Sequence, residues 1–187
     1  MYVGANARRC GRCSTSVPRY RITPERSYVW VEARSSIHPI RSQTNGLEGF
    51  VDLEMTPDGE VDLGSRPAGC LSLAVTRLSS GNRVEDREMQ RRVDAGKYPN
   101  IEGVLDQISP SDGTGSYRVS GYVTFRGVSR RYEDEMTVTA IDAETVQLEG
   151  RSRFDIRDFK MQPPRVLMFR VEPEVDVKVQ IVAVKAK

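Results

Sequence analysis

The fold class predicted for this chain is all-β with one short helix, arranged as an antiparallel barrel. Three observations predict it. Apolar and polar residues alternate with period two over most of the length, turn-forming residues fall between the alternating runs, and only one segment has helical spacing.

The alternation is clearest near the C-terminus. In Glu174-Val175-Asp176-Val177-Lys178-Val179-Gln180-Ile181 every odd position is apolar and every even one polar, so four aliphatic side chains share one face of a strand. The same pattern runs through Val29, Val31 and Ala33, through Leu47, Val51, Leu53 and Met55, and through Leu71, Leu73 and Val75. Past the midpoint it resumes in Val119, Val123 and Phe125, then Met136, Val138 and Ala140, then Val146, Leu148, Phe154 and Ile156. Turns are expected at Thr56-Pro57-Asp58-Gly59, Ser109-Pro110-Ser111-Asp112-Gly113, Arg126-Gly127 and Gln162-Pro163-Pro164. The total comes to about eight strands, a number whose closed barrel has room for side chains or for one slim ligand, as in lipocalins.

The exception is the segment Asn82 to Ala95. Asn82 with Glu85 starts a helix in the manner of a capping box, Glu88 and Arg92 form an i,i+4 pair, and Gly96 stops it. A thin apolar stripe of Val84, Met89 and Val93 predicts that this helix lies over an opening or flank of the sheet.

Composition narrows the function classes. With 187 residues, 38% hydrophobic and 29% charged, the chain fits one globular domain, assigned to residues 18–187 behind a flexible basic arm at 1–17. Residues 1 to 24 hold Arg8, Arg9, Arg12, Arg19 and Arg21 and no acid, so of a net charge of +2 the remainder carries −3, from +2 less five. An acidic body without a Lys/Arg stripe excludes a nucleic-acid surface, which needs several phosphate contacts. No apolar run reaches the roughly 20 residues that span a bilayer as a helix. The N-terminal stretch also lacks the apolar region of a secretory signal, so the expected compartment is the cytoplasm, or an exported one where a leader has been removed.

Catalytic and metal chemistry find little support. Cys10 and Cys13 form a CxxC in the arm, but the distant Cys70 and the sole histidine, His38, are the only residues to complete a metal knuckle, and no strand-to-helix context suits a redox pair. Two reduced thiols are expected there, with Cys70 a small residue at or near the core. His38 in Ser36-Ile37-His38-Pro39 reads as an exposed loop imidazole, and Glu133-Asp134-Glu135 as the solvated outer face of a strand. Arg157 and Asp158 are expected to pair at the barrel rim. Neither a glycine-rich phosphate loop nor an HExxH or GxSxG motif is present. No catalytic residue, metal or cofactor is therefore predicted.

Specific residues resemble one family. The opening Tyr20-Arg21-Ile22-Thr23-Pro24-Glu25-Arg26-Ser27, the segment Lys97-Tyr98-Pro99 before an apolar strand, Gly121-Tyr122-Val123-Thr124-Phe125-Arg126-Gly127-Val128-Ser129-Arg130, and Arg153-Phe154-Asp155-Ile156-Arg157-Asp158-Phe159 are similar, in order and spacing, to the motifs of YceI-like proteins. Thr23 and Arg26 stand where that family has an acid and a histidine, and Glu85-Asp86 where it has Arg-Asp. The resemblance implies an extended, lipocalin-like antiparallel barrel, a homodimer, and non-catalytic binding of a polyisoprenoid, isoprenoid quinone or fatty-acyl chain inside the barrel. The inward set that would line such a site is Val29, Val31, Leu53, Leu73, Val75, Val123, Phe125, Met136, Val138, Phe154, Val177 and Val179, with the soft Met136 and planar Phe125 favoured. The alternative is a solid barrel that docks a protein partner through its surface or basic arm. Trp30 and Tyr28, on the face opposite Val29 and Val31, would supply an aromatic contact.

Overall fold

The computed structural model describes residues 17–163, 165, 166 and 169–186. The basic arm, with Cys10 and Cys13, lies outside the described residues except for Val17. In chain order the elements are β1 (Arg19–Ile22), β2 (Tyr28–Ser35), β3 (Ile40–Thr44), β4 (Leu47–Asp52), β5 (Ala68–Ala74), α1 (Arg83–Val93), β6 (Asn100–Pro110), β7 (Ser116–Phe125), β8 (Val128–Ala140), β9 (Thr145–Asp155), the two-residue β10 (Arg165–Val166) and β11 (Phe169–Lys185).

Hydrogen bonding runs β1-β4-β5-β6-β7-β8-β9-β11, and β1 pairs with β11 as well, so these strands close into an eight-stranded antiparallel barrel. Each strand of the ring thus has a partner on both sides over at least part of its length. Strand β2 continues the wall beyond β1, pairing with the Val171–Gln180 stretch of β11, and β3 flanks β2.

The junction between β1 and β2 is where the ladder has to be repaired. Pro24–Arg26 forms a single 3-10 turn, since proline fixes its own φ and has no N–H to give to a sheet. The strand resumes at Tyr28, just after Ser27, which is fully buried. The Ser27 hydroxyl accepts from the Val182 amide at 3.0 Å and donates to the Val182 carbonyl at 3.2 Å, and that carbonyl also accepts the Thr23 amide at 2.9 Å. One side chain thus stands in for the missing backbone partner.

Two further segments converge in space. Arg126 and Gly127, with φ of 48° and 70°, make the left-handed two-residue turn that suits the twist of the β7–β8 hairpin. A methyl at Gly127 would stand 2.9 Å from the Tyr98 ring, so Tyr98 rests directly on this turn. The Arg126 guanidinium then donates to the Val93 carbonyl at the end of α1 (3.2 Å) and to the Lys160 carbonyl (2.7 Å). The helix is thereby tied to one end of the barrel.

Several expectations are corrected in detail. Val75 belongs to a buried 3-10 turn, Val75–Arg77, and not to a strand. Helix α1 spans Arg83–Val93 and stops at Asp94, which is left-handed, before Gly96 is reached. The Glu85 carboxylate bonds the Asn82 side-chain amide and not its backbone. Of the apolar stripe Val93 is buried and Met89 half-buried, but Val84 stands in water. Cys70 lies half-buried on β5, on the face opposite Leu71 and Leu73. The Glu88–Arg92 pair forms at 2.6 Å.

Ser27→Ala removes both bonds to Val182 and leaves a buried amide unpaired. The expected loss is about 1–3 kcal/mol of unfolding free energy, measured by urea denaturation.

Candidate binding cavity

Which residues face inward follows from alternation and register. In one row around the barrel, Val29 pairs with Val179, Val179 with Gly150, Gly150 with Met136 and Met136 with Tyr117, so all share the inner face. The interior is filled on one side of that row and open on the other.

The filled end is built from Leu53, Val61, Tyr117, Val138, Val146, Leu148 and Ile181, all buried. A polar seal closes it. The Tyr117 hydroxyl donates to the Glu60 carboxylate and accepts from the Val61 amide at 2.7 Å, while the Gly115 amide donates to Glu60 at 3.0 Å. Burial, and then the bond to Glu60, raise the Tyr117 phenol pKa above its usual value.

Toward the other end the wall parts in two places. Strand β8 begins at Val128, yet it pairs with β9 only over Met136–Ala140. Among the described residues, the outer edge of strand β3 has as its backbone pairing a single bridge from Gln43 to Ser79. The inner-facing Val31, Val119, Val123, Met136, Phe154 and Val177 are consequently only partly buried. A pocket of about 1420 Å³ in total, spread over both faces of the parted wall, occupies this region. Val31, Ser42, Thr44, Asp134, Ser152 and Val177 line it from the inner wall, and Arg41, Arg77, Arg151, Arg153 and Lys178 are among the residues at its outer rim.

Two of the candidate lining residues, Val31 and Val177, border the cavity. Met136 and Val179 form the boundary with the solid core: a methyl at Gly150 would come within 3.2 Å of Met136 Cε and 3.7 Å of Val179 Cγ2, so glycine keeps room where these two meet. Val29, Leu53, Leu73, Val75 and Val138 are buried in packed core. Phe125, Phe154 and Val123 sit toward the parted end. There Phe125 meets Phe159 edge-on with ring centres 5.6 Å apart, and Phe154 meets Tyr132 edge-on at 4.6 Å. This aromatic cluster bridges β8 and β9 beyond the point where their ladder stops.

Two expectations about charge change. Arg157 pairs with Asp155, its Nε 2.9 Å from Oδ1, and Asp158 instead accepts the Tyr132 hydroxyl at 3.0 Å. Burial, and then Asp158, hold that phenol's pKa well above its usual value. The acidic run on β8 is not wholly an outer face. Glu133 and Glu135 are exposed, near Arg118 (3.7 Å) and bonded to Ser111 (2.7 Å), whereas Asp134 between them points inward. Burial raises the Asp134 carboxyl pKa, and Ser152 offsets part of the rise. The signal for Asp134 was present in the alternation, since it has the parity of Met136 and Val138.

Elsewhere, His38 is exposed in the β2–β3 connection, with Nδ1 3.2 Å from the Pro39 carbonyl. The Tyr28 and Trp30 rings stack on the outer face at 5.6 Å, with the Lys178 ammonium 5.2 Å from the Trp30 ring. Among the described residues no helix is long and apolar enough to cross a membrane.

Solved structures share this architecture. BcnA of Burkholderia cenocepacia is 18% identical and superposes with a TM-score of 0.71, covering 87% of this chain and 99% of its own. A polyisoprenoid binding domain from Saccharophagus degradans, implicated in plant cell wall breakdown, is 12% identical with a TM-score of 0.69, covering 89% and 98%. The YceI protein of Campylobacter jejuni is 13% identical with a TM-score of 0.63, covering 81% and 88%. No curated protein matches the sequence. The model of the YceI-like domain matches residues 20–183, a span that takes in the Ser27 repair, the Tyr98–Gly127 contact and both parted seams, and the chain belongs to the YceI-like family.

Proposed function

We propose that this protein binds and carries one long apolar molecule, a polyisoprenoid, an isoprenoid quinone or a fatty-acyl chain, in the open half of its barrel, and performs no chemistry on it. The observation that carries this reading is the division of the inner wall. One end is packed with buried side chains, while Val31 and Val177 of the same strands stand half-exposed at the pocket of the parted end. Half-exposed Val31 and Val177 on a concave wall gain free energy when a hydrocarbon replaces water there.

The magnitudes are sufficient. Covering about 400 Å² of apolar tail contributes on the order of 10 kcal/mol before association and ordering costs are subtracted. Micromolar affinity requires about −8 kcal/mol, so few polar contacts are needed. The likeness to a polyisoprenoid binding domain supports the same class of ligand. The rival reading, a solid barrel docking a partner, draws on the stacked Tyr28–Trp30 pair. A solid interior is hard to reconcile with the half-exposed inner wall, so carriage is favoured.

Organic extraction of the purified protein followed by mass spectrometry is expected to release a long-chain molecule. Val177→Trp, which places an indole in the cavity, is expected to lower the amount recovered about tenfold while the folded circular-dichroism spectrum is retained. Empty extracts from the unaltered protein, together with exclusion of added long-chain lipids, would overturn the carrier reading.

A further inference from the structure

We propose that Asp134 and Ser152 form a polar anchor inside the cavity, selecting a long-chain ligand whose head group is a non-anionic hydrogen-bond donor, such as a primary amine or an alcohol. This inference rests on the carrier reading and specifies its ligand.

Asp134 lies on β8 opposite Val119 of β7, two residues from Met136, and so faces the interior. Ser152 lies on β9 opposite Val177 of β11, and both Asp134 and Ser152 line the cavity. They flank the seam where β8 and β9 part, because the ladder between these strands stops at the Met136–Gly150 pair. The anchor therefore sits beside an opening in the wall, within reach of a head group whose tail lies along Val31 and Val177.

The Ser152 hydroxyl is buried close enough to the Asp134 carboxyl to act on it, yet it completes no well-formed hydrogen bond there or to any other described residue. Among the described residues no cation pairs with Asp134, and only Ser152 acts on its carboxyl. A hydroxyl out of contact with water costs free energy until it is bonded, and the half-buried Asp134 carboxylate is partly desolvated beside it. Ionised carboxylate only accepts, whereas a serine hydroxyl accepts and donates. A group with N–H or O–H hydrogens completes both residues; a carboxylate or phosphate head brings like charge to Asp134 and nothing for it to accept.

The outer rim has the opposite sign, with Arg41, Arg77, Arg151, Arg153 and Lys178 outweighing Glu32 and Asp176. These side chains act from the wet side of the wall, and two are already engaged, Arg41 with Glu32 at 2.6 Å and Arg153 with Asp176 at 2.7 Å. Screening by water weakens their hold on a head group, while Asp134 acts inside the cavity, where the effective dielectric is lower.

Displacement of the fluorescent apolar probe N-phenyl-1-naphthylamine from the full chain by dodecylamine, dodecanol and laurate at pH 7.5 tests the anchor. The amine and the alcohol are expected to compete at concentrations about tenfold lower than laurate, the worth of one hydrogen bond to a charged group. Asp134→Asn keeps the side-chain shape and is expected to bring laurate within about threefold of the alcohol. Asp134→Asn is also expected to raise the melting temperature, because the cost of burying the charge disappears. Ser152→Ala is expected to weaken the alcohol without improving laurate. Equal competition by all three probes, or a ratio unchanged in Asp134→Asn, would overturn the anchor and leave carriage intact. Preference for laurate would do the same and assign the head group to the basic rim. Failure of every probe to compete would overturn both readings.

Discussion

Backbone hydrogen bonding around a ring is the constraint on which this molecule depends, and β11 is where the ring is completed. Its 17 residues pair with β9 along one edge and with β1 and then β2 along the other. A strand shared in this way must meet a partner at every step or leave an amide stranded beside the core, and the chain between β1 and β2 cannot comply, because Pro24 bends it away. The cost of the bend is met locally by Ser27, whose hydroxyl occupies the place of a peptide group. The serine that ends the opening motif therefore has a structural purpose: it lets a proline-bearing strand remain part of a closed wall.

The same accounting of backbone partners explains why the barrel is tight at one end and parted at the other. Short turns bring neighbouring strands together, as at Arg126-Gly127, where two left-handed residues hold β7 and β8 in register over the whole hairpin. Strands joined at the far end are free to diverge. Strands β8 and β9 are connected near Ala140 and Thr145, and their ladder runs from there only as far as Met136 and Gly150. Beyond that point side chains, not peptide groups, span the gap: Tyr132 against Phe154, and the Tyr132 hydroxyl onto Asp158. Contacts between rings are easier to separate than a row of backbone bonds, so the parted seam is the part of the wall that opens at least cost.

Much of this was legible in the sequence, and the remainder was not for identifiable reasons. Alternation named the strands and their inner faces because period two is a direct consequence of the pleat, and the run Val175 to Ile181 carries its register without ambiguity. The two-residue turn and the helix start were legible because they rest on local chemistry. Val75 was misplaced because the last residue of an alternating run looks the same whether the strand continues or curls into a 3-10 turn. The partner of Arg157 was misassigned because the choice between Asp155 and Asp158 depends on the Asp155 cap of the following turn and on Tyr132, which is distant in sequence. Alternation also marks residues as inward without saying whether the interior there is full or empty. That is why Val29 and Val31, two positions apart on one strand, lie in solid core and at a cavity wall respectively.

Asp134 shows the two kinds of sequence signal in conflict. Its neighbours Glu133 and Glu135 make the run look like a solvated face, and charge is normally strong evidence of exposure. Its parity says the opposite, and the structure sides with parity, since shifting β8 by one residue to expose Asp134 would turn Met136 and Val138 out into water as well. Two aliphatic side chains in the core outweigh one carboxyl in a cavity that water can still reach. A position held inward in this way is free to keep an acid only where the interior is not filled with hydrocarbon of the protein's own. Had the barrel been solid along its length, Asp134 would have faced Val119 and Val177 with no solvent and no partner beyond Ser152, at a cost several times the worth of a hydrogen bond. The inward acid and the unfilled half of the barrel are thus two expressions of one arrangement.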